Sequence, residues 1–120
     1  MQIPDFTWPD GADALGATLT QIVTIADACN LFPSPDLPRK LAVLREHCAA
    51  EGRDYDTIEK TCIVRYDVGA DGSNVGALLG QLRGLADLGI QTVIGSVADM
   101  HRITPLEVIG REVIPVIADL

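Results

Sequence analysis

The stretch from Ile25 to Phe32, which reads IADACNLF, decides the fold because a helical pattern ends in its first half and a strand begins in its second. Upstream of it, apolar residues recur at helical spacing, and this helix is expected to begin between Ala12 and Thr18. Its second half is short and mostly apolar and is followed by Pro33-Ser34-Pro35, which predicts a buried strand and then a loop. A helix followed by a strand in this way favours an α/β protein.

The helix after this loop is predicted from a single apolar stripe. The members of the stripe step by four, three and four positions, so they share one helical face. They are Leu37, Leu41, Leu44 and Cys48. Asp36 is expected to cap the start of this helix, and Gly52 to end it in the left-handed conformation.

Two further strands are predicted downstream. Between Ile58 and Val68 the residues alternate, so that one face carries Cys62, Val64 and Tyr66 and the other carries Ile63, Arg65 and Asp67. The run from Ile90 to Val97 is rich in β-branched residues and predicts the last strand. Strands separated by helices predict a parallel sheet, and a sheet of three strands has an open edge on each side.

A helix lies between these two strands, and another closes the chain. Gly89 is expected to stop the first of them. The second is expected to start at Thr104 as a capping box, with Pro105 in the first helical position, and Pro115 is expected to kink or break it.

Composition excludes several classes of function. The net charge of −8 and the pI near 4.4 argue against nucleic acid and anionic membranes as partners, because both bind basic surfaces. No apolar run reaches the ~20 residues of a membrane span and no signal peptide is evident, so a cytoplasmic location is expected. The three cysteines form no CxxC pair and are expected to be reduced and packed, and the two distant histidines predict no metal site.

Several segments resemble the carboxyl-terminal part of the luciferase-like oxidoreductases, the monooxygenase family that includes enzymes using the deazaflavin coenzyme F420. They occur in one order along the chain and cover about residues 18–120. They are Thr18 to Phe32, Lys40 to Cys48, Glu51 to Asp54, Ile58 to Thr61, Gly84 to Ile94 and Glu112 to Pro115.

The resemblance implies a (β/α)₈ barrel with its cofactor at the carboxyl ends of the strands. A chain of 120 residues is too short for a whole barrel, which needs roughly 200 residues. The expected fold is therefore a partial barrel over residues 18–120, about the last three strand–helix units, preceded by an arm or loop over residues 1–17. The implied cofactor is coenzyme F420, with FMN as the alternative, and the implied reaction is hydride transfer.

One part of the family pattern is absent. The family places a glycine-rich phosphate loop before the helix that carries Thr18, where this chain has Asp10 to Ala17 without a glycine run. Asp10 and Asp13 would repel a phosphate. We therefore expect activity to require another polypeptide that completes the barrel. The alternative is a non-catalytic α/β module that self-associates or completes a partner's barrel.

Three residues are candidates for binding. By resemblance, Asn30 would face the cofactor, although it could instead satisfy the backbone of its own turn. Arg65 would bind an anionic group of the substrate, or would pair on the surface with Asp67 or Glu59. His101 follows the last strand, where a barrel carries its chemistry, and is otherwise a solvated loop histidine. No catalytic residue is assigned.

Overall fold

The computed structural model describes Val23 and residues 25–120. Its strands are β1 (Ala28–Leu31), β2 (Glu59–Tyr66) and β3 (Thr92–Val97), which pair in that order as one parallel sheet. The predicted α/β class with parallel strands is confirmed, whereas closure into a barrel stays a prediction. The expected arm and the start of the first helix lie outside the described residues. Val23 and Ile25, near the end of that helix, are helical.

Helix α1 (Leu37–Glu51) follows the predicted stripe. The four residues of the stripe are all buried, and Gly52 ends the helix with a φ of 69°, as predicted. Asp36 occupies the N-cap position, but its side chain makes no capping hydrogen bond. Its backbone is itself close to helical, at φ −82° and ψ −5°, rather than in the extended conformation that directs a capping side chain at the helix start.

Helix α2 (Val75–Asp87) joins β2 to β3 and ends just before Gly89, which has a φ of 92°. Its apolar face is buried and its opposite side is open. An added Cβ at Gly76, Gly80 or Gly84 would meet no heavy atom within 4 Å. These glycines occur at every fourth residue and so lie along one side of the helix. No other described residue packs against that side.

The carboxyl-terminal helix is irregular. It consists of α3 (Ile103–Val108), a π-helical segment (Ile109–Val113) and α4 (Ile114–Ile117). The predicted start at Thr104 is wrong, because the helix begins at Ile103 and has no side-chain cap. Pro105 is tolerated at its third position, since the first four helical N–H groups have no intrahelical partner in any case. The predicted interruption at Pro115 is present, as the wider π turn just before it.

The helices that the structure describes pack on one face of the sheet. On β2 that face carries Cys62 and Val64, which lie in one core cluster with Leu37 and Leu41 of α1 and Leu85 of α2. A second cluster joins Cys29 of β1 to α1, and a third joins α2 to the carboxyl-terminal helix. The faces predicted from the alternation in β2 are confirmed, because Cys62 and Val64 are buried whereas Ile63 and Arg65 are exposed.

Two contacts on the helix-covered face fix local geometry. Tyr66 donates its hydroxyl hydrogen to the Val93 carbonyl oxygen at 2.9 Å, which carries its ring across Gly95. Lys60 is only 4% exposed, and its Nζ donates to the Tyr55 carbonyl oxygen at 3.2 Å. The same Nζ lies 4.1 Å from the centroid of the Tyr55 ring, within the range of a cation–π interaction.

The three cysteines are free and buried, as expected for packed thiols. Burial raises the pKa of the Cys29 thiol, and burial raises the pKa of the Cys62 thiol against a smaller opposing hydrogen bond from the Ile63 backbone. A raised pKa in the folded state means that the unfolded chain releases its protons first as the pH rises.

The thiols therefore predict a loss of stability in alkali. The stability that the protonated thiols allow is fully present below about pH 8.5, the usual pKa of a thiol. The free energy of unfolding then falls as the pH rises through the pKa values of the thiols in the folded state. Urea unfolding at about pH 7.5 and pH 10 should give a larger drop in unfolding free energy for the native chain than for a Cys29→Ala/Cys62→Ala double variant. Equal drops in the two proteins would contradict this assignment.

Candidate functional site

The sheet face away from the helices is the candidate site, and no described element covers it. We call it the bare face, and it comprises Ala28, Asn30, Glu59, Thr61, Ile63, Arg65, Thr92, Ile94 and Ser96. The strand register arranges these residues in rows, because side chains of paired residues in a parallel sheet point to the same side.

Polar residues form the row nearest the start of β3. Asn30, Thr61 and Thr92 are level with one another across the three strands. The Thr61 hydroxyl donates to Asn30 Oδ1 at 2.9 Å. Asn30 is thus oriented by the neighbouring strand, through one lone pair of its amide oxygen, and not by its own turn. Its side-chain NH₂ group points to no acceptor among the described residues.

The next two rows differ in chemistry. Ile63 and Ile94 are paired and remain 38% and 55% exposed, so the middle of the bare face is an apolar strip open to solvent. Arg65 and Ser96 are paired in the following row, at the carboxyl end of the sheet. A cation and a hydroxyl beside an apolar strip suit a ligand that has both an apolar part and an anionic group.

Arg65 forms neither of the ion pairs that its position in the sequence suggested. The Asp67 carboxylate accepts a hydrogen bond from the Gly69 backbone N–H at 3.0 Å, and the Glu59 carboxylate accepts one from the Thr92 hydroxyl. Within residues 23 and 25–120, the ion pair found joins Arg111 to Glu112. The guanidinium of Arg65 therefore has no carboxylate partner in the described part of the chain.

The three predicted residues are only partly brought together. Asn30 and Arg65 share the bare face, but Asn30 is level with Thr61, four residues before Arg65, so they lie about 13 Å apart along the strands. His101 is exposed in the turn after β3, at the same end of the sheet as Arg65. Arg65 and His101 thus belong to the carboxyl end, and Asn30 to the opposite half of the face.

Sequence reasoning missed Ser96 and Thr61. The alternation within β3 places Ser96 on the face of Ile94, but its position beside Arg65 depends on the strand register. Thr61 was assigned to its strand without a partner, and the hydrogen bond to Asn30 again follows from register. No local signal in either segment gives the register, because it is set by the lengths of the crossovers and by core packing.

The loop after β2 adds negative charge near this end of the sheet. Hydrogen bonds from the Ser73 side chain and backbone hold the pKa of the Asp71 carboxyl below its usual range. Asp71 accepts from the Ser73 N–H at 3.1 Å, and Asn74 donates to the Asp67 carbonyl oxygen at 2.8 Å. These contacts close the loop on itself.

Two clefts lie away from the bare face. One, of about 480 Å³, runs between α2, the beginning of β3 and the end of the chain, where Tyr66, Val93 and Ile117 line it. The other, of about 220 Å³, lies between α1 and α2 and includes Arg45 and Tyr55. No residue of the bare face lines either of them. Neither of these two clefts is therefore a cavity for a planar cofactor beside Asn30 and Arg65.

Other kinds of site find no support in the part of the chain that the structure describes. No three side chains among its histidines, cysteines, aspartates and glutamates are grouped closely enough to hold a metal ion. None of its helices has the length and hydropathy needed to cross a bilayer.

Comparisons with family models, curated proteins and solved structures gave no match to this chain.

Proposed function

We propose that this chain is the carboxyl-terminal part of a barrel oxidoreductase of the luciferase-like kind, acting in the cytoplasm with coenzyme F420 or, as the alternative, FMN. The observation that supports this is a parallel sheet in sequential order with every described helix on one face. A wall segment of a (β/α)₈ barrel has this arrangement, because its helices form the outer ring and its other face points inward. A doubly wound sheet instead carries helices on both faces.

In this proposal the chain contributes binding groups rather than a reacting group. The Arg65 guanidinium and the Ser96 hydroxyl bind an anionic group of the substrate at the carboxyl end, where barrel enzymes place their sites. His101 lies in the adjacent loop and offers a further hydrogen bond to the substrate. Ile63 and Ile94 supply the apolar surface beneath it.

The cofactor needs more than these residues. Asn30 has an unused NH₂ group that could donate to the cofactor, but neither of the two clefts includes Asn30. When bound in a complete barrel, the deazaflavin supplies the hydride chemistry, and the protein supplies position and charge. We therefore assign no chemical step to the described residues alone, and we expect barrel strands beyond β1, β2 and β3 to complete the site.

A non-catalytic α/β module is the second candidate. It is favoured by one observation: the two clefts between the elements, of about 480 and 220 Å³, lie off the bare face and contain neither Asn30 nor Arg65. In this case the chain completes a partner's sheet without contributing to chemistry.

A fluorescence titration distinguishes these functions. Coenzyme F420 and FMN are titrated with the chain alone, and with the chain mixed with a polypeptide that supplies the remaining barrel strands, such as the product of an adjacent reading frame. We expect saturable quenching only in the mixture. Asn30→Ala should weaken it by about fivefold, the effect of losing one hydrogen bond, while the exposed α2 variant Gln81→Ala should not change it.

Each other result has a definite meaning. A mixture that forms a stable complex but binds neither cofactor would overturn the oxidoreductase proposal in favour of the non-catalytic module. Tight, stoichiometric binding by the chain alone would disprove the need for a partner. If the mixture containing Asn30→Ala binds the cofactor as tightly as the mixture containing the native chain, Asn30 does not belong to the site.

A further inference from the structure

Strand β3 forms an edge of the sheet and lacks the usual protection against pairing. Edge strands commonly carry a charge, a proline or a bulge that prevents another strand from adding to them. The six residues of β3, Thr92 to Val97, include neither a charged residue nor a proline, and Val93, Ile94 and Val97 favour strand formation. Within the described residues, nothing pairs with its outer side.

Apolar surface lies on both sides of this edge. On the bare face, Ile94 is 55% exposed. On the helix-covered face, the cleft of about 480 Å³ follows the start of β3 and exposes Ile117 and Leu120, the latter 58% accessible. An added strand would therefore gain backbone hydrogen bonds and apolar contacts in both layers.

The opposite edge is less suited to pairing. Strand β1 has only four residues and is followed almost at once by Pro33, which cannot donate to a ladder. An edge of four residues offers about two-thirds of the length of β3. The two edges of this sheet are thus unequal, and β3 is the one open to a partner strand.

We propose that the partner is a second copy of this chain, which pairs with β3 antiparallel across a twofold axis perpendicular to the sheet. Antiparallel pairs are slightly more stable per residue than parallel ones, and a twofold contact closes without forming a filament. The product is a continuous sheet of six strands with the helices of both copies on one side. The two copies of Ile94 lie near each other on the shared bare face.

The size of the edge sets the strength of this contact. Six residues span about 20 Å, and a sheet with one helix layer is about 20 Å deep, which gives a footprint of roughly 400 Å² per copy. Stable interfaces bury about 800 Å² per partner, so a weak dimer in the micromolar range is expected. Because each copy carries a net charge of −8, added salt should strengthen it.

This inference is independent of the proposed oxidoreductase function, because an antiparallel copy and the next parallel strand of a barrel cannot both pair with β3 and would form two separate assemblies. Its test uses no cofactor. Sedimentation velocity of the full chain from about 1 to 500 µM, in low and in moderate salt, brackets the affinity expected for such an interface. A concentration-dependent shift from monomer to dimer is expected, and salt should favour the dimer. Hydrogen exchange should be measured at the lowest and highest protein concentrations. The β3 amides should exchange more slowly at the highest concentration, and the β1 amides should exchange at the same rate in both.

A matched pair of variants separates edge pairing from other contacts. Ile94→Lys places like charges near each other across the axis and should raise the dimer dissociation constant at least about tenfold. Ile63→Lys puts the same charge on the bare face, but on the central strand β2 and away from the edge. It should change the dimer dissociation constant by less than about threefold. Circular dichroism and urea unfolding establish that both variants remain folded.

Three results would overturn the proposal. One is a chain that stays monomeric at every concentration. Another is equal disruption by both lysine variants, which indicates packing of bare faces against each other. The third is protection of β1 amides instead of β3 amides, which indicates pairing at the other edge.

Discussion

Replacing Gly95 by alanine is expected to lower the free energy of unfolding by about 3 kcal/mol or more, the largest stability effect predicted for this chain. A Cβ at this position would overlap the carbonyl oxygen of Val64 on the neighbouring strand and approach Tyr66 Cε2 to 3.3 Å. The obstacle is backbone, so it cannot rotate away as a side chain could. Relief requires β3 to move away from β2, with loss of ladder hydrogen bonds between the paired strands.

Gly80→Ala is the matched control. Gly80 lies in the middle of α2, and an added Cβ there meets nothing within 4 Å. Alanine should therefore stabilise the protein by about 1 kcal/mol, the difference in helix propensity between the two residues. Urea unfolding followed by far-ultraviolet circular dichroism measures both variants. If Gly95→Ala unfolds at the native midpoint, the close approach of β2 to Gly95 is wrong.

The second large effect is expected at Lys60. Lys60→Ala should cost about 3 kcal/mol, because it removes a long buried side chain and its contact with the Tyr55 ring. The charge itself should matter much less than the stem. Among residues 23 and 25–120, no acidic side chain pairs with Nζ, whose hydrogen-bond acceptor there is the Tyr55 carbonyl oxygen.

Lys60→Met separates the stem from the charge. The Tyr55 carbonyl oxygen also accepts from the Ile58 N–H at 3.2 Å, so it keeps a partner when the ammonium is removed. Methionine preserves most of the apolar volume, and the variant should unfold within about 1 kcal/mol of the native protein. Thermal unfolding of the three proteins tests this order. A methionine variant as unstable as the alanine variant would show that the cation is the stabilising part.

Much of the fold could be predicted from local patterns, because each of these patterns is tied to one face of one element. The step of four, three and four in α1 and the alternation in β2 both depend only on helical or strand period and on burial. The stops at Gly52 and Gly89 follow from the positive φ that each position requires. The resemblance to luciferase-like oxidoreductases remains a prediction.

The candidate site was harder to predict, because it is formed between strands. Arg65 was chosen from its own strand, yet its neighbour Ser96 is 31 positions away and reaches it only through the register of β2 with β3. The hydrogen bond that orients Asn30 comes from Thr61 on the next strand. The availability of Arg65 likewise depends on Asp67 and Glu59 being engaged elsewhere, which no spacing in the sequence indicates.

The π-helical segment changes the phase of the helix that contains it. Val108 and Val113 are five residues apart and both buried, at 3% and 0% exposure. In a regular α-helix such a pair would be turned about 140° from each other, whereas a wider turn brings them onto the same side. A π turn accommodates one more residue than an α turn. This helix therefore holds one extra residue while the same face stays packed against the core. Residues after Val113 are therefore shifted by one position relative to a regular α-helix. In a homologue that lacks the extra residue, the same apolar residues would face different neighbours.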